Sequence, residues 1–292
     1  MLDALTNLAE TATDLTPQTV WDLQREIDER MQRIPTRVNA YGYDPFGFHP
    51  DTARRAMLLT ALLYRYWFRV ETHGIERIPT GRALLIGNHA GQLPIDAGMI
   101  ACAAFLEGEP PRIVRGMAEY WLPTLPWLNE IMVRTGSIVG TRKNCVELLH
   151  NEELVIAFPE GVRGMNKLVW ERYQLQEFGH GFLRLALETD TPIVPVAVVG
   201  SEEQAPAIAN VGPLARLFHM PAFPVTLTWP WCGLLGLVPF PVKYRIYFGE
   251  PMRFTGNPSD EDEVIAEKVE MVEARIAQML AEGLAARPSL FW

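Results

Sequence analysis

Cysteine is scarce in this chain: Cys102, Cys145 and Cys232 are the only three in 292 residues. Three thiols far apart in sequence make neither a disulfide framework nor a metal-ligand pattern, so a reducing compartment is the default reading. Two readings of Cys145 stand side by side, a nucleophile and a small buried hydrophobe, and the second suits an isolated thiol better. Long apolar runs are missing as well. No stretch of about 18 apolar residues occurs, so no conventional spanning helix is expected. The opening segment, MLDALTNLAETATDL, is acidic and has no basic stretch leading into an apolar one, which argues against a secretory leader. Excess positive charge is absent too. The formal net charge is −9, and no basic stripe is interleaved with aromatics, which argues against nucleic acid as a partner. His49 and His73 have no zinc-like spacing or neighbours, and no metal is expected.

What remains is ordinary globular material, 48% hydrophobic and 21% charged. The length suits one large α/β domain or two modest ones. Thr16-Pro17 and the apolar positions Val20, Leu23, Ile27, Met31 and Ile34 predict a capped amphipathic helix, with Pro17 at its first position. The turn-rich segment 41–50 leads to a second helix, which Asp51 is expected to cap. That helix runs through Phe68 and carries Arg54 and Arg55 outward. Beyond Gly74, strands and helices alternate. Strands are expected at 83–87, 112–117, 137–139, 154–158, 192–199 and 244–248, and helices at 95–105, 142–151 and 181–188. Residues 259–262 open a long C-terminal helix whose apolar face is read as Val264, Val269, Val272, Ile276, Met279 and Leu280. The fold class expected is α/β: a mixed, mostly parallel sheet flanked by helices, with an N-terminal helical pair. The expected division is an N-terminal helical, membrane-contacting segment over 1–70 and a second domain over 71–292.

Two blocks carry chemistry. Gly87-Asn88-His89-Ala90-Gly91-Gln92-Leu93-Pro94-Ile95-Asp96 follows the apolar run 83–86 and brings an imidazole and a carboxylate together in one loop. A base held at a strand end by a carboxylate can take a proton from a hydroxyl. Phe158-Pro159-Glu160-Gly161-Val162-Arg163-Gly164 follows a second apolar run, 154–157. In parallel sheets such strand-end loops gather at one cleft. The bland readings are a hydrogen-bonded structural histidine, a plain Glu160–Arg163 surface ion pair and a Pro195 that shapes a strand end. Lys167 and His180, near the second block, are read as surface residues.

The first block resembles the catalytic motif of the glycerolipid acyltransferase superfamily, which includes the bacterial lysophosphatidic acid acyltransferases. That motif is Asn-His, four residues, then Asp; here six residues separate His89 from Asp96. Thr135-Gly136-Ser137-Ile138-Val139-Gly140-Thr141-Arg142 resembles the family's second block. Residues 158–163 resemble the third, Phe-Pro-Glu-Gly-Thr-Arg, with Val162 in place of threonine, and 193–197 resemble the fourth. The resemblance runs from about Gly74 to Pro251. It implies His89 as catalytic base and Asp96 as its orienting partner. It implies substrate-binding roles for Asn88, Arg142, Glu160, Gly161 and Arg163, with the two arginines available to clamp a phosphate. Glu160 would orient its loop or its arginine, and backbone donors near Gly161 or in the His89 loop would meet the oxyanion.

The activity implied is transfer of a fatty acyl group from a coenzyme A or acyl-carrier-protein thioester to a glycerolipid hydroxyl, first of all that of 1-acylglycerol-3-phosphate. A non-phosphorylated acceptor such as diacylglycerol and a catalytically silent lipid-binding protein are the competing expectations. No metal or tightly bound cofactor is implied; the thioester is a co-substrate. A lipid acceptor implies a membrane surface as partner, met from the cytoplasmic side by a peripheral or monotopic protein. The second helix, with Arg54, Arg55 and Arg65, and the segment 229–240, with Trp229, Trp231 and Phe240, are the expected contacts, and the helix is favoured. Both segments can instead cover the core.

Overall fold

The computed structural model describes residues 15–92, 94–118, 128–217 and 222–291. Helix α1 (Pro17–Gln32) starts as expected: the Thr16 hydroxyl accepts from the Thr19 N–H at 3.2 Å, and Pro17 takes the first turn. Helix α2 (Pro50–Leu62) runs on into one π-helical turn, Leu63–Trp67. Its cap is His49 rather than Asp51. The imidazole Nδ1 accepts from the Thr52 N–H at 3.2 Å, which shifts the helix start by two residues and leaves Asp51 in the first turn, where a carboxylate suits the helix dipole.

Seven strands form the main sheet: β1 (Glu71–His73), β2 (Ala83–Gly87), β3 (Val114–Ala118), β4 (Ile138–Val139), β5 (Leu154–Ala157), β6 (Ile193–Val199) and β9 (Arg245–Phe248). Their order is β1-β9-β6-β2-β5-β3-β4, parallel throughout except for the β6–β9 pair. The fold is therefore α/β, a mostly parallel sheet flanked by helices. A small antiparallel pair, β7 (Ala207–Asn210) with β8 (Pro224–Thr226), stands outside the sheet. Strands β1, β7 and β8 are too short for a period-2 signal in sequence, as are the helices α4 (Leu128–Arg134) and α8 (Gly212–Leu217) for a helical one. Pro195 lies inside β6, opposite Ile86, rather than at a strand end.

Strand β2 shows how the core divides. Side chains alternate between faces, so Ala83 and Leu85 enter one hydrophobic cluster while Leu84 and Ile86 enter the other. The first cluster contains Leu23 of α1, Ala53 and Ala61 of α2, and Met99, Ile100 and Phe105 of α3 (Ile95–Leu106). The N-terminal helices thus share a core with the sheet. The second contains Leu148 and Leu149 of α5 (Arg142–His150), Leu183 of α7 (Gly181–Thr189) and the stripe of α9 (Asp262–Ala286). That stripe starts at Ile265; Val264, expected in it, is exposed. Positions 265, 269, 272, 276, 279 and 280 keep the helical period, and Val264 lies about 100° off their line.

Candidate active site

Strands β2 and β5 are adjacent and parallel, so the loops after them leave the same end of the sheet. The chain exits β2 through Asn88, which is fully buried. Its side-chain amide acts like one more strand residue: Nδ2 donates to the Val198 carbonyl at 3.2 Å, and Oδ1 accepts from the Val198 N–H at 2.8 Å. With both functions of its amide engaged by β6, Asn88 anchors the loop.

His89 follows, buried, with its ring stacked on Phe158 at 4.1 Å between centroids and 15° between planes. Its Nδ1 lies 2.8 Å from Asp96 Oδ2. Asp96 sits in the first turn of α3 and has no solvent exposure. The same Oδ2 accepts from the Ala90 N–H at 3.0 Å, and Oδ1 accepts from the Ala97 N–H at 2.8 Å. A carboxylate so placed is an acceptor only, which assigns the proton to Nδ1 and the lone pair to Nε2. The six-residue spacer closes because Gly91 takes φ +74, where side chains are strained. A Cβ at Gly91 would also meet the Ser201 carbonyl at 2.8 Å.

The loop after β5 locks this arrangement from the other side. Glu160 is buried and its Oε1 accepts the backbone N–H of His89 at 2.8 Å. Its Oε2 accepts from the Gln176 N–H at 2.8 Å and from Lys167 Nζ at 3.2 Å. Gly164, in the short helix α6 (Val162–Met165), lets the two loops touch: a Cβ there would come within 2.9 Å of the His89 carbonyl and 2.8 Å of the Glu160 Cβ. Gly161 adopts φ 56, ψ −144, open mainly to glycine, and its N–H bonds the Phe158 carbonyl at 2.9 Å. The N–H groups of His89, Ala90 and Gly161, expected as oxyanion donors, are therefore all held by protein acceptors.

Lys167, expected on the surface, is buried. It joins Glu160 to Glu202, whose Oε1 lies 2.8 Å from Nζ. Burial pushes the Glu202 carboxyl up to about 7, against the opposing pull of Lys167. Glu202 is a site-supporting residue that sequence reasoning missed. The available signal was Ser201-Glu202-Glu203-Gln204, four polar residues directly after a fully buried strand. His180 is partly exposed, 3.8 Å from Asp262.

The two arginines are placed differently. Arg142, first residue of α5, is 71% exposed and pairs with Glu188 at 2.8 Å. Arg163 is 55% exposed and pairs with Glu177, through the carboxylate at 3.0 Å and the carbonyl at 2.8 Å. Neither pairs with Glu160. Cys145 is buried beside Met117, and burial pushes its thiol up to about 11, which keeps it protonated and unreactive. Among the described residues no group of three or more His, Cys, Asp or Glu is placed to hold a metal.

A buried carboxylate–imidazole pair at the strand ends of an α/β sheet is the arrangement of a general base, and comparison with known proteins places the chain among acyltransferases. The Acyltransferase family model matches residues 69–199. Over those residues the chain carries an acyltransferase domain. It is 39% identical over 258 residues to an uncharacterized protein of Mycobacterium tuberculosis, covering 86% of this chain and 72% of that one. An uncharacterized protein of Mycobacterium leprae is 40% identical over 259 residues, with 86% and 70% covered. The human "DGAT1/2-independent enzyme synthesizing storage lipids" is 28% identical over 205 residues, with 69% and 59% covered. Among solved structures, the Thermotoga maritima 1-acyl-sn-glycerophosphate acyltransferase PlsC matches the fold with a TM-score of 0.53 at 20% identity, covering 81% of each chain.

Proposed function

We propose that the protein transfers a fatty acyl group from a coenzyme A or acyl-carrier-protein thioester to the free hydroxyl of a glycerolipid. The observation that carries the reading is the 2.8 Å contact between His89 Nδ1 and Asp96, which leaves Nε2 as the base. Nε2 makes no hydrogen bond to any described residue. It accepts the hydroxyl proton as the acceptor oxygen attacks the thioester carbonyl, forming the new C–O bond. The tetrahedral intermediate collapses, the C–S bond breaks, and the thiolate takes the proton back from the imidazolium. Asp96 holds the tautomer and stabilises the imidazolium while it exists. No acyl-enzyme and no metal enters the scheme.

The acceptor in this proposal is 1-acylglycerol-3-phosphate, with Arg163 and Arg142 as the phosphate contacts. Both sit in exposed ion pairs, which hold a guanidinium only weakly, so a phosphate can displace Glu177 or Glu188. A neutral acceptor such as diacylglycerol is the second reading. It is favoured by those carboxylate partners and by the similarity to the storage-lipid enzymes. Purified protein, a thioester donor and a panel of lysophospholipids and neutral glycerides, read by product mass, decide between them. The acceptor also implies work at a membrane surface, on the cytoplasmic side where such thioesters are met. Among the described residues no helix is long and apolar enough to cross a membrane, so the attachment proposed is peripheral or monotopic.

A further inference from the structure

The chain between β6 and β9 has a composition of its own. Over residues 204–249, between Glu203 and Glu250, there is no Asp or Glu, in a protein whose net charge is −9. Within this stretch, β8 leads into a loop with one 3₁₀ turn, Gly233–Leu237. Its apolar side chains turn outward. Trp231 is 69% exposed, Leu234 80% and Leu235 79%, and Leu227, Leu237 and Val238 are exposed beside them. Contiguous exposed apolar groups of this kind mark a surface that is covered in use.

The N-terminal helices do not offer an equal surface. Of Arg54, Arg55 and Arg65, expected to meet lipid phosphates, two are held by α1 carboxylates, Arg54 by Asp28 at 3.2 Å and Arg65 by Glu26 at 2.8 Å, while Arg55 is exposed. Of the apolar residues of α2 and its π turn, Ala61 and Tyr64 are buried in the shared core, and Met57, Leu58, Leu62 and Leu63 pack partly buried against it. Leu59 of α2 and Trp21 of α1 are the large outward exceptions.

The apolar loop also stands next to the site. Its far end is tied to the strand-end loop of β6, where the Phe240 N–H bonds the Gln204 carbonyl at 2.7 Å. Gly91 of the His89 loop packs against that same Ser201–Gln204 turn. At the base of the arm, Asn210 of β7 bonds the Asn166 carbonyl at 3.0 Å, on the loop that carries Lys167.

We propose that the 227–238 loop is the membrane-docking element of this protein, entering a lipid bilayer at headgroup depth beside the His89 site. The proposal deepens the lipid-acceptor reading and rests on it for the choice of a bilayer over a protein partner. Two features favour the bilayer independently. The surface is aliphatic with an indole at its edge, as interfacial insertion requires. It carries no carboxylate, so anionic headgroups meet no like charge.

The test uses the full chain with vesicles of phosphatidylcholine containing a minority of phosphatidylglycerol. Flotation should recover the wild type with the vesicles. The double variant Leu234→Glu, Leu235→Glu should bind at least tenfold more weakly, while Trp21→Glu, Leu59→Glu on the N-terminal helices binds as wild type. Circular dichroism controls for folding. Cys232 lies on the loop and is exposed while Cys102 and Cys145 are buried, so a polarity-sensitive dye on Cys232 reads insertion without any loop substitution. A blue shift on vesicle addition supports the proposal. An unshifted dye, a loop variant that floats like wild type, or an intact chain that self-associates through the loop without floating overturns it. Flotation and turnover separate the two readings. Vesicle binding without activity on any acceptor leaves docking standing and removes acyl transfer; activity on a water-soluble short-chain acceptor without vesicle binding does the reverse.

Discussion

Asp96 Oδ2 lies 2.8 Å from His89 Nδ1 and 3.0 Å from the Ala90 N–H, so one oxygen fixes both the ring and the backbone that carries it. Asp96→Asn keeps the volume but puts an amide where an acceptor is required, and either the tautomer or the ring orientation is lost. The expected result is a ~100- to 10,000-fold fall in kcat with KM for the acceptor little changed. Steady-state kinetics on the two proteins measure it; a wild-type kcat would show that Asp96 does not act through the imidazole.

Lys167 bridges Glu160 and Glu202 with all three side chains buried. Lys167→Met leaves two carboxylates without their cation, and removing one partner of a buried pair costs about 3–5 kcal/mol. Because Glu160 holds the His89 N–H, kcat should fall along with stability. Lys167→Arg should recover part of both. Urea unfolding and turnover, measured together, check this; a variant as stable and active as wild type would make the bridge incidental.

Glu202 gives a pH signature. Its carboxyl is raised to about 7 from an ordinary 4.5, so between those values the folded protein keeps a proton that the unfolded chain has released. That contribution to stability is complete below about pH 4.5, shrinks as pH rises through about 7 and is level above. Glu202→Gln lacks the slope, so it should gain on wild type by on the order of 1–3 kcal/mol between about pH 5 and pH 8. Unfolding curves across that range provide the measurement, and parallel stability profiles would contradict the assignment.

Arg163 sorts the acceptors. With its guanidinium on the exposed Glu177 pair, Arg163→Ala should leave stability within about 0.5 kcal/mol. If the acceptor is phosphorylated, its KM should rise on the order of tenfold, as expected for losing one charge-assisted contact of about 1.4 kcal/mol, while neutral glycerides are unaffected. Equal effects on both acceptor classes would favour the neutral-lipid reading.

The alternation of strands and helices beyond Gly74, the loops that follow β2 and β5 and the pairing of His89 with Asp96 were legible because they rest on local patterns: apolar runs, a strand-end histidine, a carboxylate in the next helix turn. Lys167 is buried rather than on the surface, and the anchoring of Asn88 is equally silent in the sequence, for a common reason: their partners, Glu202 and Val198, are distant in sequence and become neighbours only when β6 lies against β2. The cap on α2 was misplaced because His49 and Asp51 are both plausible acceptors and only backbone geometry separates them. The arginines were read toward a substrate, and their nearest carboxylates, on other elements, were invisible to spacing.

The central claim is that His89 Nε2 is the base for acyl transfer to a lipid hydroxyl. The direct measurement is product formation by purified wild type and His89→Ala, from a long-chain thioester and 1-acylglycerol-3-phosphate or diacylglycerol, with folding verified by circular dichroism. The account predicts ester product from the wild type with at least one of these acceptors, and a loss of more than about 100-fold in the folded variant. A folded His89→Ala protein that turns over at the wild-type rate would contradict it.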